Sequence, residues 1–358
     1  MKFGILYEVY PPGEFEVSEQ DLFFQAIEQT VVAEQVGFDY IWAVEHHFLE
    51  DFARCSAPEV FLGAVSQHTR TIRIAHGVTV LPIPFNHPIR VAERAATLDI
   101  MSRGRLDLGT GRGTTLSEIL GFGIDPDDAK PMWDESVKLL PRMWTEHEFS
   151  GYEGKYVKIP PRVIVPKPVQ KPHPPIWKAC TSPSSFEIAG RYGLGVLMNS
   201  FGTPEDLIPG IQAYEKGLSE VEPIGHFINR NLAAFSVMHC GEDDRAARTR
   251  GGDASVEYLS KIGKYIGNIG LYKGYREWAE AHQHAATERS HHRILDVMVN
   301  EGVLCLGDPQ RCIDLMERYR EIGITQFMAI VQVGSLTHEE IMDSLRLFGE
   351  KVIPKFRD

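Results

Sequence analysis

Several things are scarce in this sequence, and each scarcity excludes something. Nowhere do about 20 apolar residues follow one another, so no segment is expected to span a bilayer as a helix. Basic residues are outnumbered, 37 Lys and Arg against 49 Asp and Glu, which leaves a net charge of −12. No basic stripe with interleaved aromatics is present, and a nucleic-acid partner is not expected. The five cysteines, Cys55, Cys180, Cys240, Cys305 and Cys312, are scattered and odd in number. They form no CxxC pair and no zinc spacing. They are expected to be small, buried, reduced side chains of a cytoplasmic protein. The opening "MKFGILYEVYPPGEF" lacks the apolar core and cleavage site of a signal peptide. GxGxxG with a following acid, a Walker loop and HExxH are all absent, so neither a dinucleotide site nor a helical zinc site is indicated.

What is there is alternation. Eight strand-like runs can be read: "KFGILYE", "FDYIWAV", "IRIAHGVTVLP", "RLDLGTG", "PPIWKA", "LGVLMNS", "NLAAFSVMHC" and "ITQFMAIVQ". Helix-like stretches separate them. Ser18, with Asp21 three residues on, looks like the first N-cap, and Gly37 ends that helix. Alternation of this kind predicts a parallel sheet, and eight units predict an α/β (β/α)8 TIM barrel, with an open doubly wound sheet as the competitor. In either case ligands are expected at the carboxyl ends of the strands. Two stretches fall outside the repeat. Residues 149–175 are Pro-rich and read as a β-hairpin after the fourth helical unit with an extended lead into strand five. Residues 261–303, rich in Gly and His, read as a long lid insertion between strands seven and eight of a single domain spanning 1–358.

Three constellations sit at the strand tips. "IWAVEHHFLED", residues 41–51, ends a buried strand in Glu45, His46 and His47. Successive residues of a strand face opposite ways, so one of the two histidines is expected to face the mouth. "GRLDLGTGRG", residues 104–113, delivers Arg112 among glycines, a planar donor beside backbone that a ligand can approach closely. "CTSPSSFEIAG", residues 180–190, clusters Thr181, Ser182, Ser184 and Ser185 where a helix starts, which suits either plain capping or a phosphate. Tyr7, Glu8, Trp42, Trp177, Met198 and Phe201 lie at or near strand tips, where they could line a substrate pocket or pack the barrel.

These residues carry a likeness. "MKFGI", "GFDYIWAVEHHF", "HPIRVAERAATLDIMSRGRLDLGTGRG", "PKPVQKPHPPIW", "GDPQRCIDLMERYREIGI" and "EEIMDSLRLFGEKVIP" together resemble the bacterial luciferase-like, flavin-dependent monooxygenases, nearly end to end. The resemblance implies reduced FMN at the barrel mouth, O2 as co-substrate and a separate flavin reductase as partner. It implies that His46 is the catalytic histidine. Arg112, Ser182 and Ser185, with Thr181 beside them, would hold the FMN phosphate. Gly77–Val78, in "HGVTVLP", would form a cis peptide beneath the flavin, and 261–303, including "YKGYREWAE", would be the mobile lid. Gly111 stands where the light-emitting subunit has a reactive cysteine and Thr181 where it has glutamate, which speaks against light emission.

The implied reaction oxygenates a small apolar aldehyde, ketone, alkene or aromatic through a flavin hydroperoxide. His46 would move the proton, and Glu45 or a backbone carbonyl would fix its tautomer. A homodimer is expected, because "APEVFLGAV" and "VAERAATLDIM" carry more small and apolar residues than one barrel face needs. Two other readings stand beside this one. One is a deazaflavin-dependent hydride-transfer oxidoreductase, the other a non-catalytic FMN-binding flavoprotein.

Overall fold

Eight parallel strands close on themselves in a computed structural model of the chain, which describes residues 1–13, 17–198, 202–266 and 297–357. In chain order the elements are β1 (Lys2–Tyr7), α1 (Glu19–Gln35), β2 (Tyr40–Ala43), α2 (Pro58–His68), β3 (Arg73–Val80), α3 (Pro88–Met101) and β4 (Leu106–Gly111). Then come α4 (Leu116–Gly121), α5 (Ala129–Thr145), β5 (Tyr152–Glu153), β6 (Lys158–Ile159), β7 (Ile176–Cys180), α6 (Pro183–Arg191), β8 (Gly195–Met198) and α7 (Ile208–Ser219). β9 (Leu232–Cys240), α8 (Asp244–Ile266), β10 (Cys305–Gly307), α9 (Pro309–Glu321), β11 (Gln326–Ile330) and α10 (His338–Lys351) complete the described chain. The ring runs β1-β2-β3-β4-β7-β8-β9-β11 and back to β1, so the barrel expectation holds and the open sheet falls. β10 adds a short parallel pairing to the far end of β9.

The alternation was legible because parallel strands are covered on both faces, outside by helices and inside by the barrel core. All six residues of β4 and five of six in β1 are buried accordingly. Helix starts obey their caps. Ser18 accepts from the Asp21 N–H, and Thr337 and Glu340 form a reciprocal capping box on α10, each cap stabilising by roughly 1 kcal/mol. The hairpin expected in 149–175 is β5–β6, antiparallel, extended by a bridge between Phe149 and Arg162. The first residues of the predicted lid, 261–266, belong to the end of α8, and its middle, including "YKGYREWAE", lies outside the described residues.

One end of the barrel interior is stoppered. Trp42 and Trp177 are completely buried and meet edge to face, 5.3 Å between ring centres. Trp177 Nε1 donates to Asp107 Oδ1 at 2.9 Å. All five cysteines are buried free thiols.

Candidate active site

At the carboxyl ends of the strands the barrel opens into a cavity of about 730 Å3, within the range of small-molecule sites. Its floor is set by strand parity. Leu6 and Glu8 line it while Tyr7 between them does not; Leu197 lines it while Met198 does not. Gly77 lies directly over the tryptophan stopper. A Cβ there would meet Leu6 Cδ1 at 3.2 Å and Trp42 Cβ at 3.3 Å, so glycine keeps this part of the floor flat.

His46 leaves the end of β2 with its backbone pinned by an N–H donated to the Cys55 carbonyl at 3.0 Å. Its ring lines the cavity. Nδ1 lies 3.0 Å from Glu118 Oε1, on α4. The same oxygen accepts the His47 N–H at 2.8 Å, and Glu118 Oε2 accepts from the Thr115 hydroxyl. A carboxylate can only accept, so Nδ1 carries hydrogen and Nε2 is the ring atom left to exchange a proton with a ligand. Burial works to lower the His46 pKa, but the contact and charge of Glu118, with Glu8 and Glu45 behind it, outweigh burial and raise it. Burial would raise Glu118, and the ion pair with His46 and the donors around it bring it below its ordinary value instead. His47, in the loop beyond β2, turns away. Its ring sits among Phe48, Phe85 and Phe122 and reaches Glu45 at 3.3 Å.

The opposite wall is cationic. Arg112, Lys130 and Lys178 all line the cavity, next to Thr181, Ser182, Ser184 and Ser185 at the start of α6. Lys178 Nζ stands over the Trp133 ring, 4.5 Å from its centre. Burial lowers the Lys178 pKa, and Arg112 and Lys130 push it the same way. Asp127 also lines the cavity, and an anion placed among the three cations would further offset their mutual repulsion. Ser185 is partly committed: its Oγ accepts from the Thr181 and Ser182 N–H groups, both at 3.1 Å. It organises the helix start together with Ser182, whose side chain accepts from the Ser185 N–H in the same capping box and lies 3.2 Å from Ser184 Oγ.

Several sequence expectations need correction. The Gly77–Val78 bond is trans; the cis bonds among the described residues are Val165–Pro166 and Lys171–Pro172. β3 absorbs the irregularity as a register shift between His76 and Thr79 instead. Tyr7, Trp42, Trp177 and Met198 do not line the cavity. Tyr7 points outward, its hydroxyl donating to Gln29 at 2.9 Å, Met198 faces away from the floor, and the two tryptophans form the stopper. Phe201 lies outside the described residues. Glu45 does not hold His46: its oxygens accept from the Val80 N–H at 2.8 Å and from Asn86 Nδ2 at 2.7 Å. Arg112, Ser182, Ser185, Thr181, Gly77, Val78, Glu8 and His46 are brought together around one cavity.

Sequence reasoning missed Glu118, Lys130 and Lys178. For Glu118 a signal existed: "TLSE", residues 115–118, is a Thr-x-x-Glu capping pattern before an apolar pair. Among the described residues no group of three or more His, Cys, Asp or Glu could hold a metal ion, and no helix is long and apolar enough to cross a membrane.

Comparison with known proteins gives a consistent result. Residues 1–326 match the family model described as luciferase-like monooxygenase. The chain is 24% identical over 368 residues to the flavin-dependent trigonelline monooxygenase, oxygenase component, of Acinetobacter baylyi, covering 100% of this chain and 96% of that one. The crystal structure of monooxygenase RslO1 from Streptomyces bottropensis matches with a TM-score of 0.82 and 28% identity over 100% of both chains. The oxygenating constituent of 3,6-diketocamphane monooxygenase from Pseudomonas putida, a type II Baeyer-Villiger monooxygenase in complex with FMN, shares the fold. Its TM-score is 0.77 at 21% identity, covering 99% of this chain and 98% of that one.

Proposed function

The chain belongs to the luciferase-like monooxygenase family, and from that premise we propose that it is the FMN-using oxygenase component of a two-component system. A separate reductase supplies reduced FMN, and the chain uses it with O2 to oxygenate a small apolar organic substrate. The observation that carries this reading is the polarity of one cavity: His46 with its carboxylate at one wall, three cations and the α6 start at the other.

The residues fit the cofactor. Arg112, Lys130, Lys178 and Ser182 would hold its phosphate, and the flat floor over Gly77 suits an aromatic ring system. When bound, reduced FMN supplies the two electrons that activate O2. Everything else falls to this chain. Leu6, Phe52, Leu197, Phe235 and Met328 keep water from the reacting centre. His46 holds or releases a proton at Nε2, and Glu118 keeps the ring oriented and favours its charged form. Glu118 is thus a positioning residue. Val60, Ile100 and Met101 are large apolar side chains left exposed on the neighbouring helices α2 and α3, which supports association of two copies through that side.

The test is anaerobic protein loaded with photoreduced FMN and mixed with oxygenated buffer, with flavin absorbance and oxygen uptake followed by stopped flow. Oxidised flavin should return more slowly than in free solution. His46→Ala should still bind FMN, but shorten that delay and lower oxygenation by about 10²–10⁴-fold. Preference for a deazaflavin over FMN, with no oxygen uptake, would replace this reading with hydride transfer. Tight FMN binding with no delay and no effect of the substitution would leave a non-catalytic flavoprotein.

A further inference from the structure

Glu8 follows the last residue of β1 and turns into the cavity, with 6% of its surface exposed. One oxygen is accounted for: Oε1 accepts from the Tyr258 hydroxyl of α8 at 2.9 Å. The other, Oε2, is buried and has no hydrogen-bond partner among the described residues. The two described groups that bear on Glu8 are both engaged otherwise. The Tyr258 ring is clamped between Phe52 and Tyr10, which fixes its hydroxyl on Oε1. The His46 charge bears on Glu8, but Nδ1 is taken by Glu118 and no hydrogen bond joins the two side chains. Buried polar atoms are nearly always paired, so an orphan acceptor on a cavity wall asks for a donor from whatever fills the cavity. Beside His46 and Tyr258, apolar side chains share the cavity: Leu6, Phe52, Leu197, Phe235, Ile262 and Met328. One unpaired acceptor among apolar side chains orients a ligand with little added polarity.

We propose that Glu8 Oε2 is the polar anchor of the substrate subsite, accepting a hydrogen bond from a hydroxyl or N–H group carried on an otherwise apolar molecule. The inference rests on reading the cavity as the shared flavin and substrate site, and it narrows the substrate class within that reading. The substrate is then not a plain hydrocarbon. It carries a donor at the end that reaches β1, opposite the cationic wall. A site built around an acceptor discriminates strongly against analogues lacking the donor, because the acceptor is otherwise buried unpaired. Tyr258 contributes by position: it occupies Oε1 and leaves one oxygen facing the ligand.

The experiment is calorimetric titration of the FMN-saturated protein at about pH 8.5, where the Glu8 carboxyl, pushed up to about 7, is ionised and Oε2 can only accept, with three probes of similar shape: 2-naphthol, 1-naphthylmethylamine and 2-methoxynaphthalene. The wild type should bind at least one of the donor probes about 10-fold or more tightly than the ether. The naphthol and amine arms tell a neutral donor from a charged one. Glu8→Gln places an amide donor where the acceptor stood, and the preference should vanish or invert. Tyr258→Phe keeps the acceptor and should keep the preference, which separates recognition from mere disturbance of the wall. Equal affinities in the wild type, a preference that survives Glu8→Gln, or failure of all three probes to bind would overturn the proposal. FMN affinity, measured in the same titrations, reports on the underlying reading: loss of FMN binding in the wild type would sink that instead.

Discussion

Burying Glu8 without a second partner costs the folded chain stability, and the cost depends on pH. Burial raises its pKa from 4.5 to about 7, against the opposing effects of His46 and Tyr258. The folded state therefore binds a proton that the unfolded state releases near its ordinary value. Stability falls as pH rises from the unfolded pKa towards about 7 and then levels off. Glu8→Gln removes that slope. Denaturant unfolding should show the variant near wild type at about pH 5 and more stable by on the order of 1–3 kcal/mol at about pH 8. A gain that is the same at both values would mean that Glu8 is not protonated in the fold. How legible such residues were in the sequence depended on parity. His46, Arg112 and Ser182 were readable as cavity-lining residues because the chain leaves the barrel strands at the mouth. Tyr7, Trp42, Trp177 and Met198 were misread because the face that a strand residue takes is set by register with its neighbours, and a tip located to within a residue or two leaves that undetermined.

Elements place the site as much as residues do. The start of α6, which carries Ser182, is held by close packing of α6 on α7. A Cβ on Gly217 would overlap the Glu187 carbonyl oxygen, and one on Gly190 the Tyr214 carbonyl oxygen. Gly217→Ala must push the helices apart. It should cost about 1–3 kcal/mol and weaken FMN binding more than riboflavin binding, since the phosphate end of the site moves. Gly63→Ala in α2, where an added Cβ meets nothing within 4 Å, is the control and should be neutral or stabilising by up to about 1 kcal/mol. Melting curves with a flavin titration of each variant check both. The eight barrel strands were legible because each had to be apolar on two faces. α4 was overlooked because six residues carry too little periodicity to stand out between a glycine turn and the next helix, and Glu118 was overlooked with it.

At the scale of the molecule, the two copies expected from composition would meet through α2 and α3, where Val60 is 70% exposed, Ile100 42% and Met101 48%. Light scattering on the wild type should return twice the 40.3 kDa chain mass. Val60→Glu with Ile100→Glu should return the single-chain mass, with far-UV circular dichroism unchanged. A monomeric wild type would assign those side chains to something else. The stopper of Trp42 and Trp177 carries a consequence of a different kind. A vessel closed at its base fills from the rim, so whatever enters or leaves the floor passes the mouth at the carboxyl ends of the strands. Widening the base would open a second route without touching any residue of the rim.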